Sequence, residues 1–121
     1  MQISKHKINK NLDKQLAEAW YQMVTDIKTP EEAEKIFNSI LSETELTTVI
    51  KRLAVGYWLT KKRSYEVIKE NLKVSSATIA TIQQDLKKPG WQAAMKKVMA
   101  EEWATKWEEK IKNMLGKKAK E

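Results

Sequence analysis

Glycine and proline are scarce in this chain, and that scarcity narrows the fold more than any motif does. Three glycines and two prolines serve 121 residues. A domain built on sheets needs turn chemistry about every 8–12 residues, so the sequence predicts an all-α fold. Apolar residues recur at steps of three and four, the period of one helix face. Leu12, Leu16, Ala19, Trp20, Met23 and Ile27 mark a first helix over about 9–27. Ala33, Ile36, Phe37, Ile40 and Leu41 mark a second. Thr29-Pro30-Glu31-Glu32 opens that second helix with a threonine cap, a first-turn proline and a capping-box glutamate. Ser42-Glu43-Thr44-Glu45 repeats the device.

A third helix is expected to reach about Lys61, with Leu46, Val49, Ile50, Leu53, Tyr57 and Trp58 as its buried face. The stretch Lys61-Lys62-Arg63-Ser64 is a polar, glycine-free break. A short fourth helix over about 64–71 buries Val67 and Ile68, and Leu72-Lys73-Val74 forms a tight connection. Ser75 then caps a fifth helix over 75–87. Pro89-Gly90 reads as a helix breaker, followed by a last helix from Trp91 to about Leu115. The expected organisation is one domain of about six helices. It comprises N-terminal helices (1–41), a core (42–88), and a C-terminal helix with a basic tail (89–121).

The formal net charge is +7, which draws the chain toward polyanions, nucleic acid first and an acidic membrane surface second. Cysteine is absent, which excludes a disulfide framework, a thiolate metal site and a cysteine nucleophile, and makes the reducing cytoplasm the natural setting. The N-terminal stretch has no apolar segment of a secretory signal, and no run of eighteen apolar residues predicts a membrane span. His6 is the only histidine. The adjacent pairs Glu101-Glu102 and Glu108-Glu109 splay apart on a helix, as solvated charges do. No phosphate loop, metal-ligand spacing or nucleophile elbow is present. The reading is a non-enzyme with no cofactor and no metal.

The stretch from Ser64 to Gln84 has the layout of a helix-turn-helix. Such a pair needs a short helix, a tight turn and a second helix held at a steep angle. Ile68 and Leu72 before the turn, and Val74, Ile79 and Ile82 after it, would interlock the two helices. The free face of the second helix is then short and polar. Ser75, Ser76, Ala77, Thr78, Ala80, Thr81 and Gln84 are the candidate base-facing residues, with Gln83 beside them. Hydroxyls donate or accept, alanine and threonine methyls meet the thymine methyl, and glutamine pairs with adenine. Lys62, Arg63, Lys69, Lys73, Lys87 and Lys88 are candidate phosphate contacts. A packed helix pair with ordinary serine caps gives the same spacing, so spacing alone leaves both readings open. Lys73 stands where such turns often carry glycine, and a left-handed lysine there carries a cost.

The run from Leu41 to Lys88 resembles the tryptophan-repressor superfamily. The matching residues are Leu41-Ser42, Arg52-Leu53, Ser64-Tyr65 and Ala77-Thr78-Ile79, in order and at the family's spacing. The resemblance implies an intertwined all-helical homodimer that binds double-stranded DNA. Its recognition helices would enter successive major grooves of a palindrome, with half-site centres about 34 Å apart. It carries Ser76, Ala77 and Ala80 over to the base-facing surface, with Thr78 and Thr81 beside them. The implied function is a sequence-specific transcriptional regulator, by default a repressor. Arg52 matches one of the two arginines that clamp the family's tryptophan corepressor, and so marks a possible effector pocket. The second arginine falls at Thr81, and the glycine after it at Ile82. Without that guanidinium a carboxylate loses its partner, which points away from tryptophan as corepressor. Glu66 also replaces a basic position of the family's first motif helix.

Trp20, Trp58, Trp103 and Trp107 lie on apolar stripes and are expected to pack in a core or interface rather than stack on bases. Trp91 is expected to lock the last helix onto the motif. That helix carries a stripe of Met95, Met99, Trp103, Trp107, Ile111 and Leu115 beside Lys96, Lys97, Lys106, Lys110 and Lys112. A rival class follows from it: a basic all-α interaction protein that binds a protein partner or a membrane through this amphipathic helix.

Overall fold

The structure, a computed structural model, describes residues 3 and 6–116, with backbone alone at 104, 107, 108 and 110–116. Six helices follow one another: α1 (Lys10–Thr25), α2 (Pro30–Ile40), α3 (Glu43–Thr60), α4 (Tyr65–Leu72), α5 (Ser76–Asp85) and α6 (Pro89–Gly116). No strand occurs among the described residues. The all-α expectation holds because capped, periodic segments account for nearly every described stretch. The chain divides into two compact units, Met1–Leu46 and Thr47–Glu121.

The helix starts are made by local side chains. Asn9 caps α1, its Oδ1 accepting from the N–H groups of Asn11 and Leu12 at 2.8 and 3.4 Å. Thr29 accepts from the Glu32 N–H at 3.1 Å, with Pro30 as the first helical residue. The reciprocal half differs from a regular capping box. Glu32 Oε1 accepts from the N–H of Lys28, one residue before the cap. At α3 the box closes in full: Ser42 Oγ accepts from the Glu45 N–H at 3.1 Å, and Glu45 Oε1 accepts from the Ser42 N–H at 2.8 Å. The backbone hydrogen bond from Ser42, then its side chain, holds the Glu45 carboxyl below the usual glutamate value.

In the first unit, α1 and α2 bury none of their residues completely in the isolated chain. Trp20 and Phe37 meet with ring centroids 5.9 Å apart. Leu12 and Leu16 stay 45% and 51% exposed, so the α1 stripe is only partly covered.

The second unit holds the core. Val55 of α3, Ile68 of α4, and Ile79 and Ile82 of α5 are completely buried, with Trp58, Leu59, Leu72, Val74, Leu86 and Trp91 packed around them. Met95 of α6 is buried as well. Trp91 does lock the last helix, and it does so against backbone. Its six-membered ring lies against Gly56 of α3, where a Cβ would sit 2.9 Å from Trp91 Cη2 and 3.1 Å from Cε3. This contact is invisible to periodicity, because glycine in a helix carries no periodic signal.

Several expectations are corrected, among them the burial of Val67, which is 38% exposed. Pro89-Gly90 starts α6 rather than breaking the chain, since a proline at the first helical position lacks only an N–H that has no helical partner anyway. The fifth helix stops at Asp85 instead of 87, with Leu86 as its C-cap. The expected buried face of α3 is only partly covered in the single chain. Val49 and Ile50 are each 56% exposed and Leu53 39%, while Trp58 packs on the core and Val55 takes its centre. The shift follows from α4 and α5 packing on the Val55–Leu59 side. Trp103 is 66% exposed, so it lies outside the core. The side chains of Trp107, Lys110, Ile111, Lys112 and Leu115 fall outside the described residues, as does the basic tail.

Gly56→Ala provides a sign test of the Trp91 contact. An exposed glycine-to-alanine change in a helix stabilises by about 1 kcal/mol, whereas overpacking costs about 1–3 kcal/mol. Urea denaturation of Gly56→Ala is expected to show a net loss of about 1 kcal/mol or more. Combining it with Trp91→Leu should cost less than the sum of the two single changes.

Candidate nucleic-acid interface

Short residues and two unusual turns shape the region around α4 and α5. Helix α3 ends in a Schellman arrangement: the Lys62 N–H donates to the Leu59 carbonyl at 2.9 Å and the Arg63 N–H to the Trp58 carbonyl at 3.0 Å. The residue at its left-handed position is Lys62, with φ 66°. Ser64 caps α4 by accepting from the Val67 N–H. Helix α4 also ends on a left-handed residue, Lys73 at φ 55°, ψ 53°, but with the single bond of the simpler αL motif, from its N–H to the Lys69 carbonyl. Both helices that flank the first motif helix's boundaries thus end on a left-handed lysine where glycine is usual.

Ser75 caps α5, accepting from the Thr78 N–H at 3.1 Å and donating to Thr78 Oγ1 at 3.0 Å. Those two hydroxyls therefore serve the helix start first. Thr81 donates its hydroxyl to the Ala77 carbonyl at 3.0 Å, which leaves its oxygen as an acceptor and its methyl free. Ile79 and Ile82 point into the core, as the sequence pattern required. The opposite face carries Ser76, Ala77, Ala80, Thr81 and Gln84, all exposed, as are Ser75 and Thr78. Gln83, also exposed, accepts a hydrogen bond at Oε1 from the Tyr65 hydroxyl of α4.

The six flanking cations are all exposed, but they are not equivalent. Lys62 and Lys73 stand at the two turns and Lys69 in the last turn of α4. Arg63 lies over the Trp58 ring, 4.9 Å from its centroid. Lys88 pairs with Asp85 at 3.3 Å, which neutralises part of its charge, whereas Lys87 is in no salt bridge among the described residues.

Arg52 lies next to the fifth helix. It lines a cleft of about 190 Å³ with Ala77, Thr78 and Thr81. A neighbouring cleft of about 310 Å³ gathers Thr48, Lys51, Arg52, Val55 and the turn residues Lys73, Val74, Ser75 and Thr78. Arg52 and Thr81 therefore line one cleft. Ile82 is completely buried beside them. Lys51 is the cation that sequence reasoning passed over, since it stands outside the motif and gains its place only when α3 packs on the turn.

Among the described residues no helix is long and apolar enough to cross a membrane. Neither the curated proteins nor the solved structures contain a match to the chain. The family model described as Trp repressor protein matches residues 15–101, which takes in α2 to α5 whole and most of α1. With the helix pair, its aliphatic lock and this match together, the chain belongs to the Trp repressor protein family.

Proposed function

We propose that the protein is a homodimeric, sequence-specific regulator of transcription that binds double-stranded DNA in the cytoplasm and acts as a repressor. Helix α5 reads the major groove. Ser76, Ala77, Ala80, Thr81 and Gln84 face the bases, with Ser75 and Thr78 at the edge. The observation that carries this reading is the pairing of two faces on one short helix. Ile79 and Ile82 are sealed in the core, while the other side is exposed and built from side chains short enough to let backbone approach a groove floor.

The left-handed lysines support it. A lysine in that conformation costs roughly 1 kcal/mol or more relative to glycine, and a cost held at two turns flanking one motif points to function. A phosphate role for Lys62 and Lys73 supplies it, with Arg63, Lys69, Lys87 and Lys88 completing the set. Dimerisation is supported by apolar residues a single chain leaves open, Leu12 and Leu16 in the first unit and, separately, Val49, Ile50 and Leu53 in the second.

Tryptophan is not the effector in this reading. The cleft beside Arg52 has a threonine where the second clamping arginine would stand, and that threonine's hydroxyl is committed to Ala77. Arg52 remains the residue around which any effector would be held.

Selection from a random duplex library should enrich a palindrome with half-sites about one helical turn apart. Recovery without any enriched sequence would sink the reading. Ser76→Glu and Thr81→Glu are each expected to abolish specific binding in a mobility-shift assay, with helicity and dimerisation unchanged. Lys73→Gly should raise stability by about 0.5–1 kcal/mol while weakening DNA binding and lowering the salt slope by about 0.9. Association that does not respond to salt would instead assign binding to the apolar residues of α6.

A further inference from the structure

The hydrogen bond from Tyr65 to Gln83 joins the two helices of the motif at their exposed edge. Tyr65 is the first residue of α4 and Gln83 lies in the last turn of α5. Gln83 comes three residues after Ala80 and seven after Ser76, about one and two turns. It therefore shares one side of α5 with both. Neither Tyr65 nor Gln83 is needed for the core: Tyr65 is 38% exposed, and Gln83 is exposed as well.

We propose that Tyr65 is a positioning residue that sets base specificity by fixing the carboxamide of Gln83. The proposal rests on the DNA-reading assignment of α5 and deepens it. A free glutamine presents its oxygen and its NH2 together, the pattern that pairs with the N7 and N6 edge of adenine. Here the oxygen is turned toward α4, where the phenol donates to it. A phenol is a better donor than acceptor, so the reversed amide is the weaker arrangement. Gln83 then offers the groove its NH2 donors alone. Donors suit guanine O6 and N7 or thymine O4, and they leave the amino group of adenine without an acceptor. Gln83 thus reads an acceptor edge, the opposite of what its residue type alone would suggest.

The test compares the full chain with Tyr65→Phe, Gln83→Ala and the double variant in selection from a random duplex library. Thermal melts accompany each, since phenylalanine keeps the ring and the α4 surface. The parent is expected to enrich guanine or thymine at one position of each half-site. Tyr65→Phe frees the amide and should move that position toward adenine by about fivefold or more, the low end of what a bidentate pair discriminates. Gln83→Ala should flatten the same position, and adding Tyr65→Phe to it should change nothing further. A Tyr65→Phe profile identical to the parent's, or one weakened evenly at all positions, overturns the proposal and leaves the DNA reading standing. A parent that enriches no duplex overturns both.

Discussion

Four aliphatic side chains hold the functional half of this protein together. Val55, Ile68, Ile79 and Ile82 come from three helices and exclude solvent completely. Burying such a side chain is worth about 1.5–3 kcal/mol, against a net stability of about 5–15 kcal/mol for a typical domain. Loss of one contact would therefore loosen the angle between α4 and α5 before it unfolded anything else. Every feature at the exposed face of α5 depends on that angle. The Tyr65–Gln83 bond and the cleft beside Arg52 both presuppose a second helix fixed against the first and against α3.

Around this lock, the surrounding choices trade stability for charge and fit. Glycine at 62 and 73 would relax both left-handed turns, yet lysine occupies each. The same chain uses glycine at 56, inside a helix where glycine is unfavourable, because the Trp91 ring needs the space of a Cβ. The two substitutions run against local propensity in opposite directions. At 56 the reason is packing, visible in the contact with Trp91. At 62 and 73 packing gives none, since both lysines are exposed, and the proposed phosphate contacts fill that gap.

The family match and the structure constrain the protein unequally along its length. Residues 15–101 fall within the family model, while α6 continues to Gly116. Near that limit Glu102 binds Lys61 at 3.1 Å, with Lys106 at 3.9 Å from the same carboxylate oxygen. This tie fastens the continuing helix to the end of α3, next to the Lys62 turn. Apolar residues left open on α1 and, separately, on α3 are the other uneven feature, and the proposed homodimer is what would cover them.

The sequence by itself determined the helices, because caps and the three-to-four residue period act within a few residues of the chain. Thr29, Ser42 and Ser75 each cap the helix start expected of them, and Ile68, Ile79 and Ile82 were legible as buried from their spacing. The lysine-for-glycine turn at 73 was legible too, since the break between two periodic runs leaves little choice of backbone. Ambiguity began where periodicity allowed more than one face. Val49, Ile50 and Leu53 fit a stripe as well as Val55 does, and only the docking of α4 and α5 selected among them. Pro89-Gly90 is equally compatible with ending a helix and starting one. The contact of Gly56 with Trp91, the arrival of Lys51 at the turn and the bond between Tyr65 and Gln83 join residues 18 to 35 or so positions apart. No local rule reports on such pairs, because their free energy exists only once separate helices have packed, and that was decided by the tertiary structure alone.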